Sequence, residues 1–492
     1  MKLTKESSWG FKDPRELHLA AQLPAEQPFS ALHITRLAPG SACLEMDWNH
    51  FDCSSSCSAS YRVHYRLRDS GPFVQFNVTG PMGTTKIQGL EDGQDYEIYV
   101  SALQNGESLP TIQSPVRLFR PGEVPGTVVN YIHPDDYTYG FSGRSPASPS
   151  IVRLPNEDLL ASHDVYWGNE GQNLSLLYRS SDNGYTWSFV TFLYPCFWGK
   201  LFVHQERLYM LATSTEYGAL LIGRSDNGGE TWSQPTVLIE AGSREAGGPH
   251  KAPMPVTEHN GRLWTAIDYG SWTTGSHASG LISVPVDADL LDSANWTKMP
   301  FLPYNKDWPG TVMGGKRSGL LEGNAVVLPS GKLVNLLRYQ TNGGTPDHGR
   351  AIMLVADADH PELPLKFGKV IDFYGNLSKF TIYYDSESGK YWSLVNRVNP
   401  PTTGQRNILT LVSSADLEHW EIVKDVLDYE HNGWPEDSKK VGFQYVDWIF
   451  RGSDIYFLSR TAINGAYNYH NANYITFHRL EQFRRLECTD QA

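Results

Sequence analysis

SSDNGYTWS (residues 180–188) and RSDNGGETWS (residues 224–233) write nearly the same turn twice. In the first copy Ser180, Asp182, Gly184, Thr186 and Trp187 follow the pattern S-x-D-x-G-x-T-W. The second keeps Ser225, Gly229, Thr231 and Trp232 and places Asn227 where the Asp stood. SSADLEHW (residues 413–420) is a degenerate third copy. The residue types explain the turn. An Asp or Asn side chain folds back onto backbone amides, Gly supplies a positive φ, and Trp packs beneath. Such a turn is scaffold, and its recurrence says that the unit around it recurs.

From about residue 140 onward that unit is an apolar strand, a tight polar turn and a second apolar strand. Six hairpins fit it: SIVRLPNEDLLAS, KLFVHQERLYMLA, MPVTEHNGRLWTAI, NAVVLPSGKLVNLL, FTIYYDSESGKYWSLV and VDWIFRGSDIYFLS. Their pitch of roughly 50–70 residues leaves room for four strands per unit, which predicts propeller blades. Six hairpins predict six blades, and each repeated turn then joins the outer two strands of its blade. Upstream, residues 28–120 read as short alternating strands with frequent turns, which predicts a β-sandwich. Trp48 sits on an early strand, and YRVHYRLR alternates cleanly. The expected fold is all-β: an N-terminal extension (1–27) with one short helix around PRELHLAAQL, a sandwich (28–120), a linker (121–139) and a six-bladed β-propeller (140–485).

Composition narrows the function. A net charge of −13 argues against nucleic acid as a partner. It leaves an anionic small ligand open, because a local cationic cluster can sit in an acidic protein. The five cysteines, Cys43, Cys53, Cys57, Cys196 and Cys488, form neither a zinc pattern nor a disulfide framework, and free thiols are expected. No apolar run reaches membrane-spanning length. The N-terminus lacks the apolar segment of a signal peptide, which favours a cytoplasmic location over export with a leader outside this sequence. Nothing points to a metal or cofactor, and oligomeric state is left open.

Hairpin geometry places the chemistry. Residues equidistant from a turn face each other, so the start of a hairpin's first strand and the end of its second share one rim. That rim collects His163 and Asp164, His250, Lys251 and Asp268, Glu322 and Arg338, Lys379 and Arg397, and Tyr445 and Arg460. Glu322 is expected opposite Arg338, and Tyr445 opposite Arg460. A polar funnel with carboxylates, arginines and a tyrosine suits glycoside chemistry, where acid, base and nucleophile surround one sugar.

The repeated turns, there known as Asp boxes, together with six blades resemble the sialidase superfamily over roughly residues 140–485. The sandwich resembles a fibronectin type III module, with Leu90 and Tyr96 at a tyrosine corner. LLEGNAVVLPSGKLVNLLRY is similar to the sialidase segment that carries a Glu and a carboxylate-binding Arg, which implies those roles for Glu322 and Arg338. VNPPTTGQRNILTLVSSADLEHW is similar to the segment bearing the last arginine of the family triad, which implies that role for Arg406. The resemblance implies a Tyr nucleophile polarised by the Glu, an Asp as acid/base, and arginines holding a sugar acid, because a guanidinium meets a carboxylate with two hydrogen bonds. This chain departs from the pattern. Ala147 stands where the first triad arginine belongs, with Arg144 nearby, and Phe443 stands at the tyrosine position. Tyr445, two residues on and on the same strand face, is the expected nucleophile, and Asp164 is preferred over Glu170 as acid/base. Arg397, Arg460, His163, His250 and Lys251 are expected to bind substrate.

The expected function is an exo-acting glycoside hydrolase that removes a terminal sialic, ulosonic or uronic acid from a glycan. Two alternatives remain at this stage. One is a polysaccharide lyase, in which Tyr445 or a His abstracts the C5 proton of a uronic acid. The other is a glycan-binding propeller without catalysis.

Overall fold

The computed structural model describes residues 9–24, 29–53, 60–79, 82–104, 107–167, 171–314, 319–341, 343–375, 377–398, 404–434 and 436–486. Six antiparallel sheets follow one another along the chain from Ser145 and close into a six-bladed β-propeller. The inner two strands of every blade are the hairpins legible in the sequence: Ser145–Arg153 with Leu159–Tyr166 in blade 1, Gly319–Val327 with Leu333–Gln340 in blade 4, Gly442–Arg451 with Asp454–Ala462 in blade 6. Period-2 alternation sends neighbouring residues of a middle strand to opposite blade faces. In blade 4, Leu337 joins the core against blade 3 while Leu336 joins the core against blade 5. A separate apolar cluster fills each of the six gaps between adjacent blades.

The ring is closed by a strand from outside it. Thr127–Tyr131, within the segment expected as a linker, pairs with Tyr474–Leu480 and becomes the outermost strand of blade 6. The chain is thereby fastened at its first and last blades by backbone hydrogen bonds. Gly10–Phe11 adds a fifth strand to the edge of blade 1, and Trp9 beside it is fully buried among blades 1 and 2. Its indole donates to the Pro195 carbonyl at 2.7 Å. The helix Pro14–Ala20 follows, capped by Asp13.

Upstream of the propeller, one sheet has the order Leu32–Gly40, Cys43–His50, Met82–Gln88. A second is built on Val74–Thr79, Ser60–Leu67 and Tyr96–Gln104. Residues of both share one core around Trp48, Tyr61 and Ile98. That core also takes in Tyr131 and Tyr474 of the propeller. Cys43 and Cys196 are free, but Cys53 is disulfide-bonded, which corrects the expectation of free thiols there; Cys57 and Cys488 lie outside the described residues.

The three repeated turns each connect the outer two strands of a blade. In the first, Asp182 Oδ1 accepts the Thr186 amide at 2.9 Å and Ser180 Oγ accepts the Gly184 amide at 2.7 Å. Asn227 and Ser225 repeat both bonds at 3.0 and 2.8 Å. Asp416 and Ser414 do the same work in the third copy. Gly184 has φ +85°, and a Cβ there would lie 2.2 Å from the Phe477 ring. No helix among the described residues is long and apolar enough to cross a membrane.

Candidate active site

The inner strands are not the regular ladders that hairpin counting assumes. In blades 1, 2, 4 and 6 the innermost strand carries a β-bulge at the rim end. At each bulge sits a non-glycine residue with left-handed backbone: Ser148 (φ +45°), Trp198 (+54°), Glu322 (+57°) and Tyr445 (+56°). A bulge adds a residue and re-aims its side chain. Left-handed backbone at such residues costs about 1–3 kcal/mol each and is kept where the surroundings enforce it. The bulges correct two expected pairings. Arg338 pairs with Leu321, not Glu322, and Arg460 pairs with Gln444, not Tyr445. Glu322 and Tyr445 are the extra residues, turned out of the ladder.

They meet. Tyr445 Oη donates to Glu322 Oε1 at 2.6 Å, and Arg338 Nη1 donates to Glu322 Oε2 at 2.7 Å. Burial pushes the Glu322 carboxyl up, but the charge of Arg338 and the hydrogen bonds from Tyr445 and Arg338 outweigh it and hold the group below its ordinary value. Burial, and then the Glu322 charge, push the Tyr445 phenol up to about 12. The pair therefore holds one proton at neutral pH, on the phenol.

Three arginines surround this pair. The Arg460 guanidinium lies 5.2 Å and that of Arg406 5.7 Å from the Tyr445 ring centroid. Arg406 Nη1 donates to Gln444 Oε1 at 2.7 Å, Arg338 Nη2 donates to Gln340 Oε1 at 2.8 Å, and Arg460 is held by the His470 carbonyl. The Nε of all three is buried and has no hydrogen-bond partner among the described residues. Burial, and next the charge of Arg338, pull Arg406 down to about 10. Three clustered cations with unspent donors are an anion-binding arrangement.

Around the rest of the rim runs an aromatic and histidine wall. The Trp198 and His250 rings lie 4.4 Å apart, His250 and His277 4.5 Å, and Trp272 and His277 5.0 Å. Burial pulls His250 down to about 4 and His277 to about 3, so both are neutral at physiological pH. His250, an expected substrate ligand, stands in this wall between Trp198 and His277. His277 was missed because it lies on the third strand of blade 3, which hairpin counting does not reach.

Other expected residues are placed differently. Asp164 is 1 % exposed, and both its oxygens are engaged: Oδ1 accepts Ser175 Oγ at 2.6 Å and Oδ2 accepts the Trp198 amide at 2.9 Å. Asp268 stands in the same register position in blade 3, and its Oδ2 accepts the Glu322 amide at 2.7 Å. Each aspartate thus braces the bulge of the next blade. Burial pushes both carboxyls up to about 7. His163, one residue from Asp164, points to the opposite strand face, where it contacts Asn130 at 3.1 Å and stacks on Tyr178. It is a core histidine and not a substrate ligand. Arg397 pairs with Asp425 on the outermost strand of blade 5 at 2.6 Å, because Asn396 takes the inward position. Lys251 is buried below the rim, with its ammonium 3.5 Å from Thr265 Oγ1. Glu170 lies outside the described residues. Among the described residues no cluster of His, Cys, Asp and Glu has the geometry of a metal site.

Comparison with solved structures finds likenesses at low identity, each with a TM-score under 0.5. The chain is similar to a Penicillium chrysogenum α-L-arabinanase complexed with arabinobiose, with 14 % identity and a TM-score of 0.48, over 73 % of this chain and 98 % of that one. It is similar to a leech intramolecular trans-sialidase, with 11 % identity and a TM-score of 0.48, over 94 % and 92 % of the two chains. A Fusarium graminearum GH93 α-L-arabinofuranosidase aligns with 11 % identity and a TM-score of 0.46, over 72 % and 97 %. No protein-family model and no curated protein matches the chain.

Proposed function

We propose that this protein is an exo-acting glycoside hydrolase of sialidase-like type, removing a terminal acidic sugar from a glycan. One observation carries the reading: the Tyr445–Glu322 hydrogen bond lies within a cluster of three arginines whose Nε donors are unspent. The carboxylate of a sialic, ulosonic or uronic acid is the ligand such a cluster fits. In this reading Tyr445 Oη attacks the anomeric carbon as its proton passes to Glu322 Oε1, and the glycosidic oxygen leaves as an alcohol by taking a proton from solvent water. Water then releases the sugar from the tyrosine. A tyrosine nucleophile suits an anionic sugar, since a neutral phenol is not repelled as a carboxylate would be. Arg338, Arg406 and Arg460 hold the anionic group, and His250 stands beside Trp198 on the wall of the site. We read Asp164 as a positioning residue for Trp198, because neither of its oxygens is free.

We also read the N-terminal sheets as fibronectin type III-like. The support is the Tyr96 hydroxyl, which accepts the Glu91 amide at 2.9 Å in the manner of a tyrosine corner.

The test is a panel of 4-methylumbelliferyl glycosides of sialic, ulosonic and uronic acids. The expected result is fluorophore release from at least one, lost with Glu322→Gln, with no ultraviolet-absorbing unsaturated product. Turnover undiminished by Glu322→Gln would remove the assignment. An unsaturated product would replace it with a lyase, and binding without cleavage with a lectin.

A further inference from the structure

We propose that Trp167, Tyr467, Tyr137 and Arg144 form a shelf beside the arginine cluster, and that this shelf binds the leaving part of the glycan, the neutral pyranose rings next to the terminal acidic sugar. That the sugar bound there is the leaving one rests on the hydrolase reading above.

The shelf begins at the site. The Arg460 guanidinium lies 4.8 Å from the centroid of the Tyr166 ring, and Tyr166 Oη contacts His470 Nδ1 at 3.1 Å. Tyr166 ends the second strand of blade 1, and His470 lies in the loop between Asp454–Ala462 and Tyr474–Leu480 of blade 6. The next residue of blade 1 and the same loop of blade 6 meet again, with the Trp167 and Tyr467 rings 4.5 Å apart. Arg144, the arginine near the vacant triad position at Ala147, stands among these rings. Its guanidinium lies 5.0 Å from the Trp167 ring centroid and 5.1 Å from that of Tyr137, and its Nη1 donates to Tyr137 Oη at 2.6 Å. Its amide donates to the Tyr166 carbonyl at 3.1 Å, which ties it to the rim. Contacts thus lead from Arg460 by way of Tyr166 and Trp167 to Tyr137.

Two features separate this cluster from packing. Its outer rings are open: Tyr467 is 55 % and Tyr137 61 % exposed. An exposed apolar patch continuous with a binding site is informative where a lone exposed ring is not. Trp167 also has left-handed backbone, with φ +79°, as Glu322 and Tyr445 do. Such backbone costs about 1–3 kcal/mol and clusters at sites of function.

The ligand class follows from the surface. Aromatic faces meet the apolar C–H faces of a pyranose ring, and phenol and guanidinium groups reach its hydroxyls. Of the five guanidinium N–H donors of Arg144, only the one on Tyr137 is engaged among the described residues. The acidic group is already taken by Arg338, Arg406 and Arg460, so one cation among three rings is left to match hydroxyls. An exo-acting enzyme holds the terminal sugar at Tyr445, and a further sugar beside Arg460 then belongs to the part that leaves.

Full-length wild type, Tyr467→Ala and Tyr467→Phe are compared, each shown to be folded by its melting curve. Saturation-transfer NMR with lactose, cellobiose, maltose and xylobiose needs no turnover. At least one of these is expected to bind wild type and Tyr467→Phe and to lose its signal with Tyr467→Ala. No signal that depends on Tyr467 from any of them overturns the proposal, whether or not the protein is a hydrolase. The acid active in the fluorogenic panel is then joined to the disaccharide that binds, or to methanol. The ratio of kcat/KM on the disaccharide conjugate to that on the methyl glycoside is expected to fall by about tenfold in Tyr467→Ala, through KM, and to be kept in Tyr467→Phe. An equal ratio in wild type and Tyr467→Ala overturns the shelf as a leaving-group site. Cleavage of neither glycoside by wild type removes the hydrolase reading instead, and the NMR result alone then decides whether the shelf binds sugar.

Discussion

Tyr445 and Glu322 occupy left-handed backbone that neither residue type favours, and their hydrogen bond is the return on that strain. The phenol is held neutral at about 12 by burial and the Glu322 charge, while Arg338 keeps Glu322 ionised. Removing either partner should therefore stop chemistry while leaving the anion cluster in place. Tyr445→Phe and Glu322→Gln are each expected to lower kcat by about 10²–10⁴ with little change in KM. Asp164→Asn separates the two roles open to that residue. As a brace with both oxygens engaged, Asp164 should lose less than tenfold in kcat on this change, a modest cost by the measure of an acid–base group. A loss as deep as that of Glu322→Gln would make it the acid. Arg406→Met should instead raise KM for an acidic glycoside by about tenfold or more, the worth of one charge-assisted hydrogen bond, with kcat less affected. Initial-rate kinetics on one fluorogenic glycoside decides all four.

The bulged inner strand is the element that makes the site, and it depends on braces from the neighbouring blade. Gly323 follows Glu322 directly, and a Cβ there would lie 2.0 Å from Asn335 Oδ1. Gly323→Ala is expected to destabilise the protein by about 1–3 kcal/mol and to displace Glu322, with loss of activity. Urea denaturation and rate measurement on the same sample check both. The braces give a pH signature. Asp164 and Asp268 are raised by burial to about 7, against about 3.9 in an unfolded chain. Between those pH values the folded state keeps protons that the unfolded state has lost. Their contribution to stability is therefore full at the acid end of the window and falls as pH rises through it. Glu322, held low, has the opposite sign: its contribution is present above the ordinary carboxylate range and is lost in acid. Asp268→Asn should flatten the fall in unfolding free energy between about pH 4 and about pH 7. An unchanged slope would mean that Asp268 is ionised in the fold.

At the scale of the whole molecule, the sequence carries architecture more openly than it carries aim. The six inner hairpins are legible because alternation and turn chemistry are local, and the repeated Asp182 and Asn227 turns set their spacing. The bulges are not, because LLEGNAVV and GFQYVDW read as unbroken strands; one added residue leaves no compositional mark. His163 and Arg397 were read onto the wrong face for a different reason: each is one residue from an inward position, held by Asp164 and Asn396, and alternation along the strand sends it to the other side. Arg460 stays close to Tyr445 because a bulge on the first strand does not displace the end of the second. The closing strand Thr127–Tyr131 was hidden inside a Pro- and Gly-rich segment whose partner lies more than three hundred residues away. That strand also decides how the N-terminal sheets and the propeller behave together. Arg36 donates to the carbonyls of Val128 and Val129 at 3.0 and 3.1 Å, and the buried Arg117–Asp136 pair closes at 2.5 Å. Tyr131 and Tyr474 bury their rings in the core of the N-terminal sheets. Separating the two parts would uncover these rings and leave buried charges unpaired, at about 3–5 kcal/mol for a broken buried ion pair alone. Calorimetry of the full chain should therefore show one transition, with calorimetric and van't Hoff enthalpies equal. A chain beginning at Pro121 should melt lower and expose apolar surface to a dye such as ANS. Two resolved transitions in the full chain, with the upper one matching the shortened chain, would show instead that the propeller closes without help from the N-terminal sheets.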